Sequence, residues 1–371
     1  MPLASCPKDR RSYWLLAALL LVPTPARAAL YGGIEIGAKG IKSTVLDVSP
    51  GPEGLRVKIL LAGTKNTTLV EGIATSGKFD AAALKDTAGT ILRTAEEMEA
   101  KHKVPKENIY IVASSGIFTP IATDAKAVAA NRGELAKAIL AVAGRPMDFI
   151  TVAQEAQLSI KGIVPTKFLG TSVLLDIGSG NTKGGYQVKA GEYALFDVPL
   201  GSVTFGERVK KQFGDEGLVR GSARLSREVA RPGLASAAKE HPGLRTRQRV
   251  YLSGGACWAL ATFTKPGDRS GYVALTAKDI AAYQKMLASN PGKYPAVDLA
   301  AIADPAARKA TEKDLERVKK TFTPAQLLGG AELLQAFSVE FDLNADKSVY
   351  FSRNGYLGWI LAYAAKKSAK S

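Results

Sequence analysis

Two acid–lysine pairs of equal spacing are the first chemistry legible in the chain. Glu35 precedes Lys42 by seven residues, and Asp176 precedes Lys183 by the same interval. Each acid lies at the end of an apolar run, "YGGIEIG" at 31–37 and "SVLLDIG" at 172–178, and a Gly-containing turn follows. One offset of 141 positions (176 − 35, 178 − 37, 183 − 42) lays acid on acid, Gly37 on Gly178 and lysine on lysine. A Gly-rich turn leaves backbone N–H groups pointing outward, which suits an anion such as phosphate, and a nearby lysine adds a point charge. A carboxylate at a strand end is a hard oxygen ligand of the kind Mg²⁺ takes. Phosphate, a hard cation and two facing loops together suit phosphoryl transfer, where positioning and charge neutralisation do most of the catalysis. One such turn alone is no more than a tight hairpin; the matched pair is an internal repeat and predicts two similar domains across a cleft.

The elements that must position these residues follow from the pattern. Residues 31–37, 41–48 and 55–63 read as strands, 79–103 as an amphipathic helix, 108–116 as a buried strand, 125–143 as an Ala-rich helix, 147–152 as a strand and 153–164 as a helix. The order then restarts with strands around the 178–181 turn and at 192–198, and helices over 202–213 and 222–238. A strand, a Gly-Gly turn and a helix start follow at 248–261, then helices over 276–290 and 305–321. Residues 324–341 form a helical run broken by Gly329-Gly330, and 347–367 a short strand with a closing helix. This is a mixed α/β chain of 371 residues, 46% hydrophobic, long enough for two cored domains. We place the first domain at 29–156, joined by 347–371, and the second at 157–346. Residues 263–321 elaborate the second domain as a lid, a homodimer contact or an ornament.

Residues 1–28 have the basic start, the short apolar run from Tyr13 to Val22 and the Ala26-Arg27-Ala28 triplet of a secretory signal peptide. Cleavage after Ala28 would leave an exported, periplasmic chain with no membrane span. It would remove four basic residues and Asp9, taking the net charge from +16 to 16 − 3 = +13. Such a charge favours anionic partners. Cys6 leaves with the signal, so Cys257 stands alone and no internal disulfide forms. Two histidines and one cysteine argue against a zinc site, and against a Ser-His-Asp triad. No aromatic motif interleaved with basic residues is present, so nucleic acid is not an expected partner.

The duplicated loop is similar to the two phosphate loops of the actin/hexokinase/sugar-kinase superfamily. Within it the chain resembles the exopolyphosphatase / guanosine pentaphosphate phosphatase family. The resemblance runs from about 31 to 262 through five segments in order: "GGIEIGAKGIKSTVLDV", the stretch from "NIYIVASSG" to "AQEAQLSIKGIV", "SVLLDIGSGNTKGGYQV", "VPLGSVTFGERV" and "VYLSGGACWALA". It implies two ribonuclease-H-like (actin-like ATPase) domains facing across a cleft. It also implies hydrolysis of polyphosphate or a nucleotide polyphosphate with Mg²⁺ or another divalent cation. Carried over residue by residue, Glu155 is the catalytic base that activates water, Asp176 is catalytic in ordering that water and also holds the metal, and Glu35 is the other metal ligand. The implied phosphate contacts are Gly37, Ala38, Lys39, Lys42, Gly178, Ser179, Gly180, Asn181, Thr182, Lys183, Ser253, Gly254 and Gly255. Three departures stand out. Lys183 replaces a family acid, and the arginines expected in "SSGIFTP" (114–120) and "GYLGW" (355–359) are absent. "DIGSGNTKGGY" is also similar to the first phosphate loop of actin, where the lysine contacts phosphate. A non-catalytic phosphate-chain sensor and an actin-like ATPase or kinase remain alternatives.

Overall fold

A computed structural model describes residues 29–368 apart from 38, 39, 52, 53, 344 and 345. The expected signal peptide, Ala38 and Lys39 lie outside the described residues. The first half contains strands β1 (Ala29–Gly37), β2 (Gly40–Gly51), β3 (Gly54–Asn66), β4 (Ile109–Ala113) and β5 (Asp148–Phe149). Its helices are α1 (Leu69–Ser76), α2 (Ala81–Ala100), α3 (Ala125–Ala143) and α4 (Val152–Ile163). The second half contains β6 (Ser172–Ile177), β7 (Thr182–Lys189), β8 (Glu192–Val198), β9 (Arg249–Ser253), β10 (Tyr272–Leu275) and β11 (Ser348–Ser352). Helices α5 (Ser202–Phe213), α6 (Leu218–Leu225), α7 (Arg231–Glu240) and α8 (Gly243–Thr246) lie between β8 and β9. They are followed by α9 (Gly255–Thr264), α10 (Ala277–Ser289), α11 (Pro305–Thr321), α12 (Pro324–Glu340) and α13 (Gly358–Ser368).

The sheets repeat one topology. The first runs β3-β2-β1-β4-β5, and the second runs β8-β7-β6-β9-β11 with β10 added at the edge. In both, the opening strand pairs antiparallel with the next and parallel with the strand that returns after the helical connection. Central strands are covered on both faces and so read as continuous apolar runs. Residues 31–37 of β1 are accordingly all buried. The helices follow their apolar stripes. Leu84, Ala88, Ile91, Ala95 and Met98 form the buried stripe of α2, and Asp80 caps it by accepting from the Ala83 N–H at 2.9 Å.

Each sheet has its own apolar core, centred on Ile34, Ile36, Ile91 and Ile111 in the first and on Leu175, Leu252, Phe205 and Phe337 in the second. Helix α4 connects them. Its Leu158 packs with Trp359, Ile360 and Tyr363 of α13, while Ile160 and Ile163 pack with Leu174 and Tyr251 of the second sheet. Gly162 sits where α4 meets α13, and a Cβ there would collide with the Gly358 carbonyl. Thr151 and Gln154 close the start of α4 with a reciprocal capping box, which fixes the first turn carrying Glu155.

Two expectations change. The expected break in 324–341 is absent, and Pro324–Glu340 is one unbroken helix: Gly329 and Gly330 lie directly against Phe205 and Ala256, where the missing side chains permit close packing. The segment 347–371 is divided, because β11 joins the second sheet while α13 packs on α4 and β1. The 263–321 region contributes the edge strand β10 and the helices α10 and α11. Among the described residues, no helix is long and apolar enough to cross a membrane.

Candidate active site

The equal spacing of the two acid–lysine pairs has a direct geometric meaning. Glu35 stands opposite Lys42 across the β1–β2 hairpin, and Asp176 stands opposite Lys183 across β6–β7. Residues directly opposite on an antiparallel pair share a face, so each hairpin holds its acid and its lysine side by side. Both hairpins open onto one cavity of about 400 Å³ lined from both sheets.

The two pairs then behave differently. Lys42 Nζ donates to Glu35 Oε1 at 2.8 Å and remains partly exposed at the cleft. Lys183 is buried and reaches across to the other half. Its Nζ lies 2.9 Å from Glu155 Oε1, 3.1 Å from Asp176 Oδ2 and 3.4 Å from Asn181 Oδ1. An ammonium has three donors, and these three oxygens can take all of them. The other oxygen of Glu155, Oε2, accepts from the Ser115 N–H at 3.0 Å and the Ser115 hydroxyl at 2.7 Å. Ser115 follows β4, so Glu155 is held by both halves of the molecule at once.

These contacts set the protonation states. Burial alone would push the Glu155 carboxyl up, but Lys183 and the Ser115 donors outweigh it and hold the group below the usual glutamate range. Burial pulls the Lys183 ammonium down, yet Asp176 and Glu155 hold it above an ordinary lysine. Glu35 goes the other way. Burial raises its carboxyl; Lys42 pulls against this and Glu155 adds to it. Glu35 Oε2 is buried without a hydrogen-bond partner, as is Ser253 Oγ.

The second turn is pinned from behind. The Ser202 N–H donates to the Gly178 carbonyl, and those of Val203 and Thr204 donate to the Ser179 carbonyl. The start of α5 thereby fixes the turn. The Gly178 N–H closes it by donating to Asn181 O at 3.0 Å, so it is not free for an anion as expected. The Ser179 and Gly180 N–H groups have no protein acceptor among the described residues. Gly254 adopts φ +92 at the start of α9, where a Cβ would collide with the Ile177 carbonyl. With Gly255 it brings the positive end of α9 to the cavity.

Of the residues named from sequence, Glu35, Gly37, Lys42, Glu155, Asp176, Gly178, Ser179, Gly180, Asn181, Lys183, Ser253, Gly254 and Gly255 line the cavity. Thr182 does not: it is buried, and its hydroxyl donates to the Leu200 carbonyl at 2.7 Å. Lys183 is present, but its donors are engaged by protein oxygens, which removes the expected direct phosphate contact. Nor does the Lys183 neighbourhood fit a divalent cation, since the ammonium occupies the place between Glu155 and Asp176. Among the described residues, no group of three or more His, Cys, Asp or Glu could hold a metal. The expected Mg²⁺ ligands Glu35 and Asp176 are each paired with a lysine instead.

Sequence reasoning missed Ser115 and the basic wall of the cavity. Arg269, Arg317 and Arg353 line that wall. Asp314 Oδ2 holds Arg269 Nη1 at 2.7 Å and Arg353 Nη1 at 3.5 Å, and the Arg317 guanidinium lies over the Trp258 ring at 5.3 Å. Arg353 precedes the 355–359 stretch by two residues, so the arginine sought there lies just upstream. Three guanidiniums against one carboxylate leave the wall net positive. The only sequence signal for it was the basic residues of 263–321 and of "SRNGY", which lie far apart in the chain.

No protein-family model matches the chain. It is similar to a member of the Ppx/GppA protein family from Aquifex aeolicus. That likeness covers 92% of this chain and 99% of that one, with a TM-score of 0.67 at 15% identity. The fold is the Ppx/GppA fold. An exopolyphosphatase from Cytophaga hutchinsonii gives a TM-score of 0.59 at 17% identity, covering 89% of this chain and 98% of that one. The two sheets are thus two actin-like domains facing across the cleft. In sequence, the chain is 26% identical over 184 residues to a guanosine-5'-triphosphate,3'-diphosphate pyrophosphatase from Vibrio cholerae. That match covers 48% of this chain and spans only 33% of the relative's length.

Proposed function

We propose that the protein is a divergent Ppx/GppA-type phosphohydrolase that releases phosphate from inorganic polyphosphate or a nucleotide polyphosphate. The observation that carries the reading is the convergence of the Glu35–Lys42 hairpin, the Ser179–Gly180 amides and the buried Glu155 on one cavity. A carboxylate has about four acceptor positions, and Glu155 uses three on Lys183 and the two Ser115 donors. The fourth can accept a proton from water as it attacks the terminal phosphorus. The anhydride P–O bond then breaks, and the shortened chain leaves with its charge. Lys42 and the loop amides stabilise the phosphoryl oxygens. Arg269, Arg317 and Arg353 provide positive charge along the wall for the rest of the polyanion.

A second reading, a non-catalytic sensor of the same ligands, is favoured by one observation. Glu155 is held below the ordinary glutamate range, which makes it a weak base. Phosphate release from medium-chain polyphosphate and from guanosine pentaphosphate separates the two. The hydrolase reading expects release by the purified protein and its loss in Glu155→Ala. Binding without release, or equal release from both proteins, would sink it. Export to the periplasm, with cleavage near Ala28, belongs to the same proposal. N-terminal sequencing of the protein recovered from a periplasmic extract tests it, and an intact residue 1 would refute it.

A further inference from the structure

The Lys183 ammonium has three donors and meets three oxygens: one on Glu155, one on Asp176 and one on Asn181. The lysine side chain is 4% exposed and the two carboxylates 6% and 14%, so water screens the group little. We infer that Lys183 is the resident cation of this site, permanently occupying the position between Glu155 and Asp176 that a divalent ion would need.

Three lines of reasoning carry this. The first is space and donors. A hard divalent ion needs several oxygen ligands at short range. Here Oε1 of Glu155 and Oδ2 of Asp176 already point at the ammonium, and Oε2 of Glu155 is held by Ser115. The second is charge. A divalent ion beside a buried ammonium would face like-charge repulsion in a poorly screened site. The third is the route out. Lys183 lies opposite Asp176 within β7, flanked by buried neighbours from Thr182 to Tyr186. To admit a metal it would have to leave a protein position where all its donors are engaged. Lys42, at the matching place in the other hairpin, makes one such contact and is partly exposed. The two copies of one motif have therefore diverged in role. Lys42 remains available to a ligand, while Lys183 orients and neutralises the two carboxylates. It is a positioning residue.

The inference concerns metal uptake and can be tested whether or not the hydrolase reading holds. Mn²⁺ is titrated into the purified protein and followed by electron paramagnetic resonance and calorimetry, with Asp176→Asn and Lys183→Ala alongside. The expected result is no saturable Mn²⁺ binding by the wild type that Asp176→Asn removes. Lys183→Ala, with the place opened, should bind one Mn²⁺ saturably, at least about tenfold more tightly than any residual uptake by the wild type. One Mn²⁺ held by the wild type and lost in Asp176→Asn would overturn the inference. Should Lys183→Ala fail to fold, the wild-type and Asp176→Asn titrations decide the matter by themselves. Phosphate release is scored separately, so failure of the hydrolase reading and failure of this inference are distinguishable.

Discussion

Replacing Lys183 with methionine keeps roughly the length of the side chain and removes its charge. At 2.9 and 3.1 Å, each carboxylate attracts the ammonium by about 5–6 kcal/mol at an effective dielectric near 20. Desolvating the lysine cancels part of that gain. Breaking a buried ion pair by removing one partner costs about 3–5 kcal/mol, because the remaining charge is left uncompensated. We expect Lys183→Met to lose that much at pH 7.5, measured by urea unfolding followed by circular dichroism. The pH dependence supplies the sign. In the wild type, Glu155 is held low, so its stabilising contribution is present above about pH 4.5 and is lost as pH falls through the folded value. In the variant, Glu155 loses the ammonium that holds it low, and burial is left to make its carboxyl take up a proton more readily in the folded state. Its folded affinity for that proton is then raised, so folding is favoured at low pH and penalised as pH rises. The deficit against wild type should shrink between pH 7.5 and pH 5. Adding Asp176→Asn should recover part of it. A deficit below about 1 kcal/mol at pH 7.5, or one that does not change with pH, would refute the reasoning, since either would mean that water already screens the triad.

Two other perturbations test neighbouring parts of the account. Ser115→Ala removes one of the two donors to Glu155 Oε2; a hydrogen bond to a charged group is worth about 1.5–3 kcal/mol. The acidic limb of the pH–rate profile, set by ionised Glu155, should therefore move up by about one to two pH units, and an unmoved limb would remove Glu155 from the role of base. Gly162→Val places a branched side chain against the Gly358 carbonyl where α4 meets α13. Overpacking of this kind costs about 1–3 kcal/mol or more, and should lower the thermal midpoint together with phosphate release; wild-type values for both would show that the α4–α13 contact does not position Glu155.

The parts of this site that could be read from sequence are those carried by short-range spacing. A seven-residue interval around a tight turn is the separation of opposite residues in a hairpin, so Glu35–Lys42 and Asp176–Lys183 emerge from the repeat alone. The shared topology of the sheets follows from the same repeat. The direction of the Lys183 side chain does not. It depends on Glu155, which arrives on α4 from the other half and supplies the nearest carboxylate to the ammonium. Thr182 was misplaced for a related reason. Side chains alternate along a strand, and only the register of β7 against β8 turns its hydroxyl to Leu200. The arginine wall was illegible because Arg269, Arg317 and Arg353 come from separate segments, assembled by β10, α11 and the end of β11. Gly329-Gly330 misled in the opposite sense: helix-breaking composition gave way to the close approach of Phe205 and Ala256.

The central claim is that the cleft between the two hairpins receives a phosphate chain. A crystal structure with imidodiphosphate, whose P–N–P bridge resists hydrolysis, tests it most directly. The account predicts the anion within hydrogen-bond reach of the Ser179 and Gly180 N–H groups and of Lys42, with Lys183 still bound to Glu155 and Asp176. An empty cleft, with the anion held only on the outer basic surface, would contradict it.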